Sequence, residues 1–497
     1  MNQTARLDRK FVWHPFTQMR DWLKREPVVI ASGQGAVLRD VKGREYLDAN
    51  SSIWTNLHGH NHPKINAAIN RQLKKIAHSS ALGFANEPAS VLAEQLVKAA
   101  KPDLVERASS RAGLSGASPH LGKVFLSDDG STAMEVALKL AYEFTRRARG
   151  KKSRPKFLSL DGAYHGDTIG AVSAGHIGLF HKAYAGLLFK TDKVMSPYCY
   201  RCPFNRAKPE RGDAREYRTC SWECVSLVEK KFTAQKRKGN AYAAFVFEPL
   251  LQGSAGMIPQ PGGWLGQVAG IARSHGALLI ADEVMTGFGR TGGTGLSTSR
   301  LAGTLAPPKS KMLFACQHEN VQPDFLCLAK GMTGGYLPMA ATLTTQKVFD
   351  AFLGEYAECK TFFHGHSFTG NQLGAAASLA SLEILQTEKS IRQRAQLQKN
   401  LHENLQSLWS LPNVGDVRQV GLVAGIELVK NWRTREPFAV RERAGIRVCD
   451  AMATRGVLTR PVGNVVVLIP PYCTTPAQTR KMISAVREAV AEVFRAG

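Results

Sequence analysis

Short apolar runs alternate with amphipathic stretches over the first two thirds of the chain. Five of these runs end in loop-forming residues and predict strands: VFLSDDG (124–130), PKFLSLDGAYHG (155–166), AAFVFEPL (243–250), GALLIADEV (276–284) and DFLCLAKG (324–331). Apolar residues recur at helical spacing in 131–148 and 264–274, which predicts helices there. Strands that alternate with helices favour an α/β fold with a mainly parallel sheet covered on both faces.

The pattern changes after about residue 340. Long helical stretches at 371–386 and 391–409 precede strands near Val417, at 425–429 and at 465–469, and a helix at 476–494 follows. We therefore predict three parts: an N-terminal segment (1–60), a large domain (61–340) and a smaller α/β C-terminal domain (341–497). The N-terminal segment is expected to pack beside the small domain. Glycine, serine and proline content predicts loop insertions at 108–122, 197–218 and 292–309.

Composition is that of a globular protein, with 497 residues, 44% hydrophobic and 21% charged. The net charge of +25 raises the hypothesis of a nucleic-acid partner. However, the basic residues are spread along the chain and no nucleic-acid module accompanies them, so we predict that the charge serves solubility or an anionic substrate. Because no apolar run is long enough for a membrane span or a signal peptide, we expect a cytoplasmic protein without a membrane partner.

Four of the nine cysteines lie close together in sequence. Cys199 and Cys202 form C-x2-C, and Cys220 and Cys224 form C-x3-C, within reach of zinc-ligand spacing. The alternative is a loop with free thiols, which suits a reducing compartment. We predict no catalytic metal and leave structural zinc open as the second interpretation.

Three predicted strand ends carry candidate catalytic or binding residues. Asp282 follows a buried strand directly, Lys330 closes another, and Gly130 and Ser131 open a helix. Separately, these could be a turn-capping acid, a surface lysine and a plain helix cap. Together they supply an amine, an acid for a pyridine nitrogen and a helix N-terminus for a phosphate, which is the set that pyridoxal 5'-phosphate (PLP) requires.

The chain resembles the class III (ω-amino acid) aminotransferases, PLP enzymes of fold type I. The resemblance runs from about Trp13 to Val490. Its most specific stretches are DAN-SSIWTNLHGHNHP, SDDGSTAMEVALK, GAYHGDT, EPLLQGSAGM, ADEVMTGFGRTG, PDFLCLAKGMTGGYLP and FFHGHSFTGNQLG.

The resemblance implies a role for each matching cofactor residue. Lys330 would form the Schiff base and transfer the proton, and Asp282 would pair with the pyridine nitrogen. Gly130 and Ser131 would bind the phosphate, and Tyr164 would stack on the ring. His366 of the partner subunit and Ser367 of the partner subunit would complete the phosphate cup, which implies a homodimer.

The resemblance also implies the substrate side of the site. Ile53, Trp54, Tyr164 and Gly365 would line it, and Arg460 would bind a carboxylate, since a guanidinium matches that geometry. Within the family, WHPFTQM, GDTIGAVS, HENVQPD and LTRPVGNVVVLIPP resemble the branch that converts 8-amino-7-oxononanoate to 7,8-diaminononanoate in biotin biosynthesis. The alternatives are a broader ω-transaminase for 4-aminobutyrate or ornithine, and a non-catalytic binding protein of the same fold.

Three positions bear on the amino donor. Members that use S-adenosylmethionine have a tyrosine where this chain has Phe16, a second tryptophan at Ile53 and an aromatic residue at Val467. The differences favour the branch that uses L-lysine, or else they are neutral drift in an S-adenosylmethionine enzyme. The sequence leaves both donors open.

Overall fold

A computed structural model describes residues 2–101, 120–150, 154–292 and 312–494. Its strands are β1 (Ile30–Gln34), β2 (Val37–Asp40), β3 (Glu45–Asp48), β4 (Leu121–Ser127), β5 (Lys156–Leu160), β6 (Asp192–Val194), β7 (Tyr242–Phe247), β8 (Leu251–Gln252), β9 (Ile258–Pro259), β10 (Leu278–Asp282), β11 (Phe325–Leu328), β12 (Ala340–Thr345), β13 (Val414–Val420), β14 (Val423–Asn431), β15 (Glu436–Pro437), β16 (Val457–Leu458), β17 (Pro461–Val462) and β18 (Val465–Leu468).

The helices, in chain order, are α1 (Gln3–Phe11), α2 (Met19–Trp22), α3 (Ser51–Trp54), α4 (Pro63–Leu73), α5 (Glu87–Ala99), α6 (Gly130–Arg149), α7 (Ile169–Ala174), α8 (Gly178–His181), α9 (Glu223–Arg237), α10 (Trp264–Ser274), α11 (Gln346–Asp350), α12 (Gln372–Leu385), α13 (Glu388–Leu405), α14 (Ala444–Thr454) and α15 (Pro476–Phe494). The short element α3 is a left-handed turn, because φ is positive at all four of its residues. No helix within the described ranges is both long and apolar enough to cross a membrane.

A seven-stranded sheet forms the centre of the molecule, in the order β4-β12-β11-β10-β7-β5-β6. The pairs β11-β10, β10-β7, β7-β5 and β5-β6 are parallel. Every residue of β7 is buried, because helices and loops cover both faces of the sheet. This confirms the predicted α/β fold with a mainly parallel sheet.

Strand β12 is the antiparallel member of this sheet. It lies between β4 and β11 and pairs antiparallel with both. The sequence analysis did not predict it, although its six residues, AATLTT, are all buried. The buried hydroxyl of Thr342 has a hydrogen-bond partner, because it donates to the carbonyl of Ala133, 2.8 Å away.

The predicted elements after residue 340 are present, including the helix at 476–494 with the same bounds. Strands β13, β14, β18 and β17 form a second sheet. The N-terminal segment contacts this part of the chain: β3 runs parallel to β16, and Arg25 lies 2.8 Å from the carboxylate of Asp450. The domain limits at residues 60 and 340 stay predictions.

The predicted insertion at 197–218 is a loop with one 3-10 turn at Cys199–Arg201. Arg211 and Arg215 of this loop donate to backbone carbonyls of the C-terminal part, among them that of Gln419 at 3.0 Å. Most of the insertions at 108–122 and 292–309 lies outside the described residues.

Candidate active site

The carboxyl ends of the central strands open onto one cavity of about 430 Å³. Gly130 and Ser131 follow β4, Asp282 ends β10, and Lys330 follows β11. All four line this cavity. These strand ends therefore meet in space, since parallel strands place their carboxyl ends at one edge of the sheet.

Lys330 stands at the start of a tight turn, with φ of 45°. Burial lowers the pKa of its amine, against the opposing effect of the negative charges of Asp282 and Glu248. The face of the Trp54 indole lies 4.5 Å from Nζ. A lysine whose pKa is lowered in this way has more neutral amine at a given pH and is a better nucleophile.

Asp282 is 6% exposed and is held on both of its oxygens. The backbone N–H of Val284 donates to Oδ1 (3.1 Å), and Nδ1 of His165 lies 2.7 Å from Oδ2. Burial would lower the pKa of His165, but the hydrogen bond and charge of Asp282 outweigh it, and the pKa is raised. This pairing fixes the orientation of the Asp282 carboxylate at the end of β10.

Helix α6 begins at the cavity. Asp129 caps it by accepting from the N–H of Thr132 (2.9 Å), and the Thr132 hydroxyl accepts in return from the N–H of Asp129. The loop after β5 packs closely against this helix start: a Cβ on Gly166 would lie 2.0 Å from Oγ of Ser131. Free N–H groups and the positive end of the helix dipole at Gly130 and Ser131 suit a phosphate group.

Tyr164 lines the same cavity. Its hydroxyl donates to Oδ2 of Asp167 (2.7 Å), and burial together with this hydrogen bond raises the pKa of the phenol. Its ring meets that of Phe180 edge to face, with centroids 6.0 Å apart. The phenol thus stays a neutral donor at the mouth of the site.

Among the predicted substrate residues, Trp54 lines the cavity and Ile53 does not. The Ile53 side chain is 46% exposed. Arg460 is also outside the cavity lining, and its Nη2 donates to the carbonyl of Phe16 (3.0 Å). The Phe16 ring lies 5.2 Å from that of Phe180, so aromatic contacts connect Arg460 to Tyr164.

The residues expected to serve the partner subunit lie in one loop, also outside the cavity lining. Nδ1 of His366 lies 2.9 Å from the carboxylate of Asp128, and the carbonyl of Ser367 accepts from His78 (2.8 Å). An added Cβ on Gly365 would have no atom within 4 Å. None of these three residues lines the cavity in the described chain, although His366 contacts Asp128, which does.

Sequence reasoning missed His165 and Glu248 as parts of the site. Glu248 directly follows β7, is buried and lines the cavity, and its Oε2 accepts from the N–H of Gly253 (2.7 Å). Burial raises the pKa of Glu248 to about 7. The available signal was an acid directly after a fully apolar strand, the same signal that identified Asp282.

The four clustered cysteines line a separate cavity of about 20 Å³. Within the described parts of the chain, no three histidine, cysteine, aspartate or glutamate side chains form a group that could hold a metal ion. Burial raises the pKa of Cys224 to about 11, so that thiol stays protonated. The zinc interpretation therefore gains no support from these residues.

Val467, one of the three donor-related positions, is 1% exposed in β18 and pairs with Gly425. It belongs to the core and does not line the cavity. Its difference from an aromatic residue therefore does not directly reshape the cavity.

Comparison with known proteins agrees with this geometry. The sequence model of the family "Aminotransferase class-III" matches residues 19–299 and 309–490. The adenosylmethionine-8-amino-7-oxononanoate aminotransferase of Geobacter sulfurreducens is 44% identical over 97% of this chain and 96% of its own length.

Two solved structures are similar over nearly their whole length. The aminotransferase of the same name from Methanocaldococcus jannaschii has a TM-score of 0.83 at 38% identity and covers 98% of each chain. An amine transaminase from an uncultivated Pseudomonas species, in its PLP-bound form, has a TM-score of 0.81 at 32% identity and covers 97% of this chain and 98% of its own. With a lysine, an acid and an anion-binding helix end at one cavity, the residues present fit PLP, and the chain belongs to the class-III aminotransferases.

Proposed function

We propose that this protein is a PLP-dependent transaminase that converts 8-amino-7-oxononanoate to 7,8-diaminononanoate in biotin biosynthesis, with S-adenosylmethionine as amino donor. The observation that carries the proposal is the full-length similarity, at up to 44% identity, to relatives named for this donor and acceptor. The same proposal includes a cytoplasmic location, where small-molecule biosynthesis takes place.

PLP, when bound, supplies an electron sink for the carbanion formed at the reacting carbon. The chain's own residues supply the rest. Lys330 would hold the cofactor covalently, and after its release by the substrate amine its Nζ would move the proton to and from the reacting carbon. Its lowered pKa supports this role, because the amine must be neutral to accept that proton.

Asp282 would face the ring nitrogen and keep it protonated, with His165 fixing the carboxylate from behind at 2.7 Å. Gly130 and Ser131 would bind the phosphate through the N-terminus of α6. Tyr164 would cover the ring and direct its hydroxyl to the substrate. These assignments rest on the shared cavity and on the match of each residue to the family's motifs.

The acceptor has a carboxylate at one end of a long methylene chain, and the ketone to be aminated lies near the other end. We assign the carboxylate to Arg460, which is exposed and held in place through the backbone of Phe16. Trp54 and Tyr164, which line the cavity with Lys330, would provide apolar surface for the methylene chain, and Ile53 and Gly365 would complete the wall.

We also propose a homodimer. The loop with His366 and Ser367 is flanked by exposed apolar side chains: Phe363 is 73% exposed and Phe368 is 61% exposed. A neighbouring loop adds Leu82 at 87% and Phe84 at 71%, and Nδ2 of Asn86 joins the two loops by donating to the carbonyl of Gly370 (3.0 Å). Exposed apolar side chains on two joined loops support burial against a second copy, which would receive His366 and Ser367 at its phosphate site.

A single-turnover experiment tests the reaction. The purified enzyme with bound PLP is mixed with S-adenosylmethionine or, separately, with L-lysine, and the absorbance of the bound cofactor is followed. We expect the band to disappear with S-adenosylmethionine and to return when 8-amino-7-oxononanoate is added.

Loss of the band with lysine alone would contradict the proposed donor and would assign Phe16 and Ile53 to a changed donor pocket. Conversion by 4-aminobutyrate or ornithine, with no return on 8-amino-7-oxononanoate, would contradict the acceptor and favour a broader ω-transaminase. No conversion by any amine would favour the non-catalytic alternative.

A further inference from the structure

The turn Ser51–Trp54 has an unusual backbone. Four consecutive residues adopt positive φ, at 47°, 47°, 62° and 69°, and none of them is glycine. A left-handed conformation is unfavourable for any residue with a side chain, and Ile53 is β-branched, the type that disfavours it most. Strain of this kind persists only where surrounding contacts hold it, and it concentrates at functional sites.

The turn leads directly into the candidate active site. Its last residue, Trp54, lines the cavity and presents its indole face 4.5 Å from Nζ of Lys330. The Trp54 Nε1–H is buried and has no hydrogen-bond partner among the described residues. The strained backbone therefore sets the position of the ring that lies against the amine.

One carboxylate holds the turn. Asp48, 4% exposed, ends β3 and accepts from the N–H of Ser52 (3.0 Å), the hydroxyl of Ser52 (2.9 Å), the N–H of Asn50 (3.3 Å) and the imidazole of His60 (2.9 Å). Burial raises the pKa of Asp48, but the hydrogen bonds from His60 and Ser52 outweigh it, and the pKa is lowered. The carboxylate thus stays ionised and can accept all four bonds.

The histidine is itself oriented by a further residue. Oδ1 of Asn56 accepts from the N–H of Gly59 (2.9 Å), which fixes the orientation of the Asn56 amide. Nδ2 of Asn56 then donates to Nδ1 of His60 (2.9 Å). A neutral imidazole that accepts at Nδ1 carries its proton at Nε2, so His60 donates to Asp48.

We propose that Asp48, supported by His60 and Asn56, is a positioning residue for catalysis: it maintains the left-handed turn and thereby fixes the Trp54 indole against the amine of Lys330. The indole face attracts the positive charge of the amine when it is protonated, through a cation–π interaction. Asp48 thus acts on the proton that Lys330 carries and has no contact with substrate. This inference rests on the proposed role of Lys330.

The chain offers a matched control in Asp40. Asp40 is 6% exposed, and it likewise accepts from the N–H groups two and four residues on, Lys42 and Arg44, both at 2.9 Å, with a third bond from the Tyr46 hydroxyl (3.0 Å). Its turn does not line the cavity. Asp40→Asn therefore removes an equivalent buried carboxylate from an equivalent turn without touching the site.

The experiment compares Asp48→Asn with Asp40→Asn in the PLP-loaded enzyme. For Asp48→Asn we expect kcat to fall about tenfold with KM changed less than about twofold, because a misplaced ring affects proton transfer more than binding. The pH midpoint of the bound cofactor's absorbance change, which reports the proton on the Lys330 nitrogen, should shift. Asp40→Asn should leave kcat and this midpoint within error, although it lowers thermal stability to a similar degree.

A double-mutant cycle identifies the path of the effect. In a Trp54→Ala background, Asp48→Asn should cause no further loss of kcat and no further shift of the midpoint, because the ring it positions is absent. Additive losses in that background, or an equal loss in Asp40→Asn, would overturn the proposal. Should Asp48→Asn fail to fold, Ser52→Ala removes one of the four bonds and should cause a smaller change in the same direction, about twofold to fivefold.

The outcome is separable from that of the proposed reaction. The midpoint titration needs the bound cofactor and no substrate. A protein that used other substrates would still show the shift, whereas an unshifted midpoint in an active transaminase would contradict the positioning role alone.

Discussion

The floor and the rim of the active site are built in different ways. The floor comprises Gly130, Asp282 and Lys330, which follow strands of the central sheet. The rim that we propose comprises Phe16, Trp54 and Arg460, which come from the N-terminal segment and the C-terminal part of the chain. Asp282 lies in a regular ladder opposite Cys327, whereas Phe16 and Trp54 have positive φ of 48° and 69°.

This difference assigns separate tasks to the two regions. Asp282 is held by main-chain pairing inside a buried sheet, and Gly130 and Lys330 come two or three residues after strands of that sheet, so the geometry of the floor does not depend on the substrate. The rim is held by side-chain hydrogen bonds and aromatic contacts, and it is partly exposed. The rim can therefore change with the substrate while the reaction class, determined by the floor, stays the same.

The largest effect should come from the floor. Lys330→Ala removes the amine that holds the cofactor and moves the proton, so we expect kcat to fall about 10³-fold or more with every substrate. Borohydride reduction followed by mass spectrometry should show cofactor attached to the wild-type chain and none attached to the variant. The exposed Lys347→Ala serves as control, and retention of covalently attached cofactor in Lys330→Ala would refute the assignment.

A change at the rim should be smaller and should depend on the substrate. Arg460→Ala removes a charged partner, which is typically worth a factor of about 10 to 100 in kcat/KM for the acceptor with a carboxylate. An amine without a carboxylate should react almost as before. Arg455, which pairs with Glu488 and Glu492 on the surface, provides the control substitution to alanine. An equal loss of kcat/KM with both kinds of substrate would contradict the assignment of Arg460 to carboxylate binding, and with it the separate roles of floor and rim.

The smallest effect concerns the stability of the floor without cofactor. Burial raises the pKa of Glu248 to about 7 from its usual 4.5, so between these pH values the folded state holds a proton that the unfolded state releases. Stability from this proton is present below about pH 4.5 and is lost as pH rises through 7. Glu248→Gln lacks this loss, and its melting temperature relative to wild type should rise by a few degrees between pH 5 and pH 8. A constant or falling difference in calorimetry would show that Glu248 does not titrate in this range.

The floor residues could be predicted from local sequence, whereas the rim residues were predicted only through the resemblance to the family, for a physical reason. An acid or lysine after a run of buried residues, as at Asp282 and Lys330, is visible locally because the run itself marks the end of a strand. The rim depends on contacts between distant segments, such as Phe16 with Phe180, which have no local signal.

Two further features show the same limit. Local propensity argues against a left-handed turn in the sequence SSIW. The contacts that stabilise this turn lie outside it, at Asp48 and at the carbonyl of Ile469. The sequence suggests Val467 as a donor-pocket residue, but the structure places it in β18 with its side chain in the core. Successive side chains of a strand point to opposite faces, so the position of Val467 within β18 determines which face it occupies.

The hydrogen bond from Ser51 to the carbonyl of Ile469 joins residues 418 positions apart. A ribosome that adds 5–20 residues per second needs roughly 20 to 80 s to synthesise the chain between them. In the last third of that time Lys330 and Asp282 are already made, while the turn that carries Trp54 still lacks one of its anchors. A nascent or C-terminally truncated chain can thus possess the reactive lysine without a finished site, and activity can mature only late in synthesis.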